Sequence, residues 1–134
     1  MARSLGSILA ELGCQTGTIH RTGADGELKL ETQVGVPEFL LPKIASIPFG
    51  KGIAGCAAER KRPVQLCNLQ TDTSGQARPA AKTTGMEGSI AVPMLVAGEL
   101  RGVIGVAMAG AHDWTDAEKS LLLAIAAKLG EARP

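Results

Sequence analysis

Two apolar segments in the second half of the chain, residues 88–96 and 101–109, constrain the fold most strongly. Only the four residues 97–100 separate them, so the chain is predicted to reverse there and pair the segments as an antiparallel hairpin. Pro93 lies inside the first segment and has no backbone N–H, which implies a bulge or an unpaired position. Because side chains alternate between the faces of a strand, each segment has one face of mostly small residues. These are Ser89, Ala91 and Pro93 on the first strand, and Val103, Gly105, Ala107 and Ala109 on the second.

The first third of the chain predicts a helix followed by a second hairpin. Apolar residues recur at helical spacing over residues 4–12, and Gly13 ends the pattern. Strands are predicted over 15–21 and 27–34, with a turn at 22–26 that contains two glycines. This order of elements indicates antiparallel pairing and an α+β fold.

The middle of the chain carries shorter elements and one long polar connection. Residues 37–45 predict one or two helical turns limited by Pro42, and 53–61 predict a helix with Ile53, Ala54, Ala57 and Ala58 facing inward. A short strand follows at 64–67. Residues 68–86 have no clear period, and a connection of this length inside a compact domain is usually functional. The final helix begins after the capping box of Thr115 and Glu118 and is predicted to run to about Leu129, with Gly130 ending it.

Composition excludes several classes of function. The 134 residues include two Phe, one Trp and no Tyr, and the net charge is +1, so neither nucleic acid nor an anionic membrane is an expected partner. The basic triplet at 60–62 is interpreted as a solvated helix end. Three cysteines without metal-ligand spacing favour reduced thiols in a cytoplasmic protein. The length indicates a single domain over residues 1–134.

Four segments in the same order resemble a GAF domain: TGTIHRTGADGELKL, IPFGKGIAGCAAERKRPVQLCNL, GSIAVPMLVAGELRGVIGVA and WTDAEKSLLLAIAAKL. The resemblance covers about residues 4–131. It implies a GAF/PAS-like central antiparallel sheet with the terminal helices on one face and a lid-covered pocket on the other. It also implies a sensory or regulatory module rather than an enzyme, binding an unidentified small molecule; no cofactor is identified.

If the chain follows the family, the small-residue faces of the last two strands line that pocket, and residues 68–86 form the lid. The space is either open to a ligand or filled by a bulky neighbour such as Phe49 or Met86. Arg78 is the best single polar anchor, because its guanidinium can clamp a carboxylate or phosphate. The predicted ligand-binding residues are Phe49, Ile53, Asn68, Thr71, Asp72, Arg78, Thr84, Ser89, Ala91, Gly105 and Ala107.

One enzymatic branch of the family, free methionine sulfoxide reductase, remains as an alternative. That chemistry needs a thiolate nucleophile, a resolving cysteine and acidic residues; the resemblance places one key cysteine at Ala54, the second at about Lys82, and the acidic residues at Ser89, Gly105 and Ala107. A different redox pair of Cys56 and Cys67 is neither required nor forbidden by their spacing. The family's cyclic-nucleotide signature is present only in part, through Asn68 and Asp72, and the Cys-His pair that attaches bilins is absent.

Further alternatives concern the glycine motif, the histidines and the helices. Gly50, Gly52 and Gly55 match a dinucleotide fingerprint, but residues 42–49 do not predict the strand it needs, so close packing is favoured. The helix start beside Lys51 could attract an anion.

His20 and His112 are not expected to bind metal. Residues 4–12 and 116–129 could form a homodimer seam, because Leu121, Leu122, Leu123, Ile125 and Leu129 surround more than one face of the last helix.

Overall fold

The computed structural model describes residues 5–23, 25–66 and 86–131, with the side chain of Leu66 left out. Its elements in chain order are α1 (Leu5–Leu12), β1 (Thr16–Thr22), β2 (Glu27–Val34), a 3-10 turn (Glu38–Leu40), α2 (Leu41–Ile44), β3 (Ser46–Pro48), α3 (Gly52–Arg60), β4 (Val64–Leu66), β5 (Gly88–Val96), β6 (Glu99–Met108) and α4 (Asp116–Glu131).

Within these residues, six strands form one antiparallel sheet in the order β3-β2-β1-β6-β5-β4. Both predicted hairpins are confirmed as β1–β2 and β5–β6, and they meet where β1 pairs with β6 in the middle of the sheet. The strand β3 was not predicted, because three residues are too few to establish an alternating pattern. The α+β prediction is confirmed.

The two terminal helices cover one face of the sheet, as the resemblance implied. Their apolar stripes pack on the branched side chains of the three strands beneath them, and Trp114 closes one end of this core. The buried residues are Leu5, Ile8, Leu9, Cys14, Ile19, Ile90, Val92, Met94, Ile104, Val106, Trp114, Leu122, Ile125, Ala126 and Leu129. Burial of each large side chain contributes about 1.5–3 kcal/mol, so this layer supplies most of the folding energy.

The helix α3 lies on the opposite face, over a smaller core. Ala57 and Ala58 are fully buried there, while Ile53 and Ala54 are half-buried against the same cluster, which confirms the predicted inward face. The helix ends at Lys61, whose left-handed backbone (φ 55°) stops the helical hydrogen bonding. None of the helices in the described part of the chain is long and apolar enough to cross a membrane.

Three details of the predicted boundaries were wrong. Pro42 lies in the first turn of α2 rather than limiting it, because the first residues of a helix need no N–H donor. The β5–β6 turn is tighter than residues 97–100: only Ala97 and Gly98 form it, both with positive φ, as a two-residue hairpin turn requires. Gly130 lies inside α4, where an added Cβ would come within 2.9 Å of Val96 Cγ2.

Pro93 is accommodated where its missing N–H costs least. It pairs with Val103 on β6, whereas the pairing of β5 with β4 extends only as far as Ala91. A register shift follows between Met94 and Leu95. The predicted unpaired position is therefore confirmed, and the bulge lies next to the proline rather than at it.

His20 joins α2 to the sheet. Its side chain is only 1% exposed, and Nε2 donates a hydrogen bond of 2.8 Å to the carbonyl oxygen of Ile44, the last residue of α2. Nδ1 is buried and has no hydrogen-bond partner in the described residues. Burial lowers the pKa of His20 below its usual 6.5, although the bond to Ile44 opposes that shift. His20 is therefore a neutral structural group near neutral pH.

We expect His20 to make the fold sensitive to acid. The unfolded chain binds a proton at His20 near pH 6.5, whereas the folded chain binds it only at lower pH, so the free energy of unfolding falls as the pH drops below about 6.5. Replacing His20 with Phe removes both the bond and the titrating group. Chemical denaturation at pH 7.5 should show that the free energy of unfolding of the variant is about 1 kcal/mol lower than that of the unmodified protein. At pH 5 this difference should be smaller. A difference that stays constant between these pH values would contradict this role.

Candidate functional site

The candidate site lies on the face of the sheet opposite α1 and α4. Ala91 and Val103 belong to the core under α3, whereas their chain neighbours Ile90 and Ile104 belong to the core under the terminal helices. This alternation confirms that the small-residue faces of β5 and β6 point away from the terminal helices. The two strands pair Ser89 with Ala107, Ala91 with Gly105 and Pro93 with Val103.

Gly105 has the smallest side chain on this face. Of the described residues, only Thr18, through its Oγ1 at 3.2 Å, comes within 4 Å of a Cβ added at Gly105. Neither Phe49 nor Met86, the side chains that could have filled the space in the alternative interpretation, comes within 4 Å of that Cβ position. Phe49 instead packs half-buried against the α3 core. A side chain at Gly105 would therefore require the Thr18 hydroxyl to move by a few tenths of an ångström.

The glycine motif before α3 serves close packing. An added Cβ at Gly55 would lie 2.6 Å from the carbonyl oxygen of Pro48, and Gly50 N donates to the Gly55 carbonyl at 2.8 Å. A strand, β3, does precede the motif, contrary to the prediction. However, β3 and β4 lie at opposite edges of the sheet, so α3 does not connect neighbouring parallel strands as a dinucleotide-binding unit requires.

The start of α3 carries charges of both signs. Lys51 is the exposed N-cap residue, but Glu59 Oε2 lies 2.7 Å from the position of a Cβ added at Gly50. This carboxylate opposes the attraction of an anion to the helix start. The anion site suggested by the sequence stays a prediction.

Several predicted residues lie outside the described part of the chain. They are the polar lid candidates Asn68, Thr71, Asp72, Arg78 and Thr84, together with Cys67 and Lys82. The structure places the remaining predicted ligand-binding residues in two groups. Phe49 and Ile53 pack with Ala91 around the α3 core, and Gly105, Ala107 and Ser89 lie on the sheet beside it.

Two thiols are described, and both are reduced. Cys14 is buried under the terminal helices, where loss of solvation, helped by the nearby negative charge of Glu118, raises its pKa to about 11. Cys56 is half-buried on α3, and its Sγ lies 3.7 Å from the carbonyl oxygen of Gly50. Because a thiolate is the reactive form of cysteine, Cys14 is chemically inert at neutral pH.

His112 has a partner that sequence reasoning missed. Its Nε2 lies 2.8 Å from Glu118 Oε1, and its ring meets Trp114 edge to face with centroids 4.6 Å apart. Glu118 also accepts from Thr115 N and donates through its own N–H to Thr115 Oγ1, which confirms the capping box. These contacts lower the pKa of Glu118 even though desolvation, the largest single effect, opposes them. The described residues contain no group of three or more side chains that could hold a metal ion.

Sequence reasoning also missed the contribution of β1 to the candidate site. Thr16, Thr18 and His20 pair with Ala107, Gly105 and Val103, so they lie on the same face of the sheet. The alternation of β1 alone could have separated these residues from Gly17 and Ile19. The pairing of β1 with β6 was needed to place them in the site.

Comparison with solved structures supports the same architecture. The GAF domain of an Acinetobacter phosphoenolpyruvate-protein phosphotransferase matches with a TM-score of 0.77 and 16% identity, covering 95% of this chain and 75% of that chain. The corresponding domain from Coxiella burnetii matches with a TM-score of 0.77 and 21% sequence identity, and the match covers 95% of this chain and 76% of that chain. A free methionine-R-sulfoxide reductase from Neisseria meningitidis, solved with its substrate, matches with a TM-score of 0.75 and 20% sequence identity. This match covers 93% of this chain and 71% of that chain. At these identities the likeness establishes the fold alone.

Comparisons of sequence complete the assignment. No curated protein matches the chain. A family model described as GAF domain matches residues 1–132. Because that match spans nearly the whole chain, the protein belongs to the GAF domain family.

Proposed function

We propose that this GAF domain is a sensory or regulatory module that binds a small molecule between the sheet and the lid segment, residues 68–86. Binding orders the lid or changes a dimer, and so transmits the signal. The observation that carries the proposal is the group of short side chains around Gly105, where neither Phe49 nor Met86 comes within 4 Å of an added Cβ. The surrounding residues Ser89 and Ala107 are also short and leave room for a ligand.

Energetics favour a ligand that uses polar anchors as well as the sheet. An apolar molecule that buries about 200 Å² gains roughly 5 kcal/mol. Association costs about 4 kcal/mol or more, so apolar burial alone gives weak binding. The predicted lid residues Asn68, Asp72 and Arg78 would supply the additional contacts.

We expect Gly105→Val to block the site. The isopropyl group would project from the sheet into the proposed site and press on the Thr18 hydroxyl, 3.2 Å from the added Cβ, while the strand would tolerate a β-branched residue. Native mass spectrometry and thermal denaturation with a metabolite panel should identify a ligand of the unmodified protein. At 100 times its dissociation constant, that ligand adds about 2.7 kcal/mol, which raises the melting temperature by roughly 10 °C. This increase should disappear in the variant.

A matched control places the same kind of bulk away from the site. Ala111 is exposed in the loop between β6 and α4, so Ala111→Val should retain the ligand-induced increase. Circular dichroism without ligand would verify that both variants fold. Equal ligand binding by the two variants would reject the sheet as the binding surface.

A second function, homodimerisation, is favoured by one exposed apolar residue. Leu121 on α4 is 38% exposed, whereas Leu122, Ile125 and Leu129 are buried against the sheet. Ala117 and Ala124 lie four residues before and three residues after Leu121 and are also exposed, so the three share an outward face. This face, with the adjoining α1, would form the dimer seam suggested by the sequence.

We expect Leu121→Glu to dissociate such a dimer, because it places a carboxylate in the apolar seam. Light scattering after size exclusion should show a dimer for the unmodified protein and a larger monomer fraction for the variant. Phe39→Glu makes a similar change at a residue that is 62% exposed and lies outside both terminal helices, so it should leave the dimer intact. A concentration-independent monomer for the unmodified protein would exclude this function.

Reduction of free methionine-R-sulfoxide is not the activity we propose. The resemblance places the two key cysteines of that enzyme branch at Ala54 and at about Lys82, and neither an alanine nor a lysine side chain can supply the thiolate. We therefore expect no turnover when the purified protein is supplied with this substrate and a thiol reductant. Turnover that is lost in Cys56→Ser or Cys67→Ser would instead establish the enzyme alternative.

A further inference from the structure

Two consecutive residues of β1 hold the ends of helices on opposite faces of the sheet. His20 Nε2 donates to the carbonyl oxygen of Ile44, the last residue of α2, at 2.8 Å. Arg21 Nη1 donates to the carbonyl oxygen of Leu129, in the last turn of α4, at 3.0 Å. The last carbonyl groups of a helix have no partner within the helix, so each bond satisfies an acceptor that the helix itself cannot. Because adjacent strand residues point to opposite faces, β1 is bonded to both layers at one position.

Glu31 holds Arg21 in the orientation that its bond to α4 needs. Arg21 Nε donates to Glu31 Oε2 at 2.9 Å, and the two side chains are only 20% and 22% exposed. Glu31 is the additional residue of β2 where its register with β1 shifts between Ile19 and His20. The planar fork of the guanidinium can bond Glu31 and Leu129 at the same time, which fixes its direction.

A second register shift positions the same turn of α4. Arg101 is the additional residue of β6 where its pairing with β5 shifts between Met94 and Leu95. The Cβ and Cγ of Arg101 lie 3.4 Å from the position of a Cβ added at Gly130, and Val96 Cγ2 lies 2.9 Å from that position. The absence of a side chain at Gly130 therefore lets the end of α4 rest directly on the sheet.

The backbone that carries both bonds is tightly packed. Arg21 pairs with Gly102 of β6, and a Cβ added at Gly102 would collide with the carbonyl oxygen of His20. On the other side His20 pairs with Leu30, whose N–H donates to the carbonyl oxygen of Ala45 at 2.9 Å. A hydrogen bond from N–H to oxygen is lost beyond about 3.5 Å. A displacement of β1 by about half an ångström would therefore weaken the bonds on both faces.

From this arrangement we infer that His20 and Arg21 couple the two faces of the sheet: release of α2 loosens the last turn of α4, and loosening of that turn releases α2. The coupling acts equally in both directions, because a coupling free energy between two sites is reciprocal. His20 and Arg21 are positioning residues, since each acts through the helix end that it holds. The coupling is a property of the chain itself and requires no ligand, so it stands apart from the proposed function.

The test measures amide hydrogen exchange by NMR on the full chain, with reporters on each face. The Leu30 amide reports on α2, because it donates to Ala45, the residue after that helix. The amides of Leu129 and Gly130 report on the last turn of α4. The slowest-exchanging amides of the sheet report on global unfolding, so reporters that exchange faster than these open locally.

We expect His20→Phe and Arg21→Leu each to raise exchange on both faces. Each variant removes one hydrogen bond, so the reporter on its own face should exchange about fivefold faster, which corresponds to about 1 kcal/mol. The reporter on the opposite face should exchange about twofold faster or more. The Lys119 amide in the first turn of α4, which donates to Thr115, should keep its rate in both variants.

Gln65→Leu is the matched control. Gln65 Oε1 accepts a hydrogen bond of 3.0 Å from Trp114 N, just before α4 begins, so this variant removes a bond of the same kind at the other end of that helix. It should leave the amides of Leu30, Leu129 and Gly130 unchanged. Circular dichroism verifies that each variant folds. Because the coupling is reciprocal, the Arg21 variant alone still tests it if the His20 variant does not fold.

Three results would overturn the inference. The first is a change confined to the face on which the substitution was made. The second is an equal change in Gln65→Leu. The third is a pair of reporters that exchange as slowly as the slowest amides in the unmodified protein, because α2 and α4 would then open only with the whole fold. Ligand binding plays no part in these measurements, so the proposed function is tested separately by Gly105→Val.

Discussion

The opposite faces of the β5–β6 hairpin carry side chains of very different size, and the rest of the structure depends on that difference. Ile90, Val92, Ile104 and Val106 fill the layer under the terminal helices, whereas Ala91 and Gly105 face the other way. A shift of one residue in either strand would exchange the two sets and expose the large side chains. The alternation that places large side chains in the core therefore also places short side chains on the opposite face.

Contacts around the edge of this small-residue face fix the positions of α2 and α3 against the sheet. Gly55 lets α3 approach the end of β3, because a Cβ there would collide with the Pro48 carbonyl. His20 fixes the end of α2 to the middle of the sheet through the Ile44 carbonyl. These two helices meet the sheet on the side of His20 and Val103, and the space above Gly105 lies beside them.

The fold itself is compatible with more than one activity. Its structural relatives include a domain of a phosphotransferase and a free methionine-R-sulfoxide reductase. A shared architecture does not fix function, which resides in the residues of the site. In this chain the pocket-side face of β1, β6 and β5 carries Thr18, Gly105 and Ala91 in one paired row.

Much of this organisation could be predicted from the sequence, because it arises from local periodicity. The hairpins, the terminal helices, the capping box at Thr115 and the small-residue faces of β5 and β6 all follow from spacing within single segments. The three-residue strand β3 could not be predicted, since it is specified by pairing with β2 rather than by its own pattern. The position of Gly130 inside α4 was missed for the same reason: its role is contact with Val96, not termination of the helix.

The sequence by itself determined which residues share a face of each strand, since alternation is a property of the extended backbone. Only the tertiary structure decided which strands lie side by side. The pairing of β1 with β6 joins segments that are more than 80 residues apart in the chain, and no local pattern encodes such a contact. That pairing brings Thr18 beside Gly105 and His20 beside Val103, and so completes the candidate site.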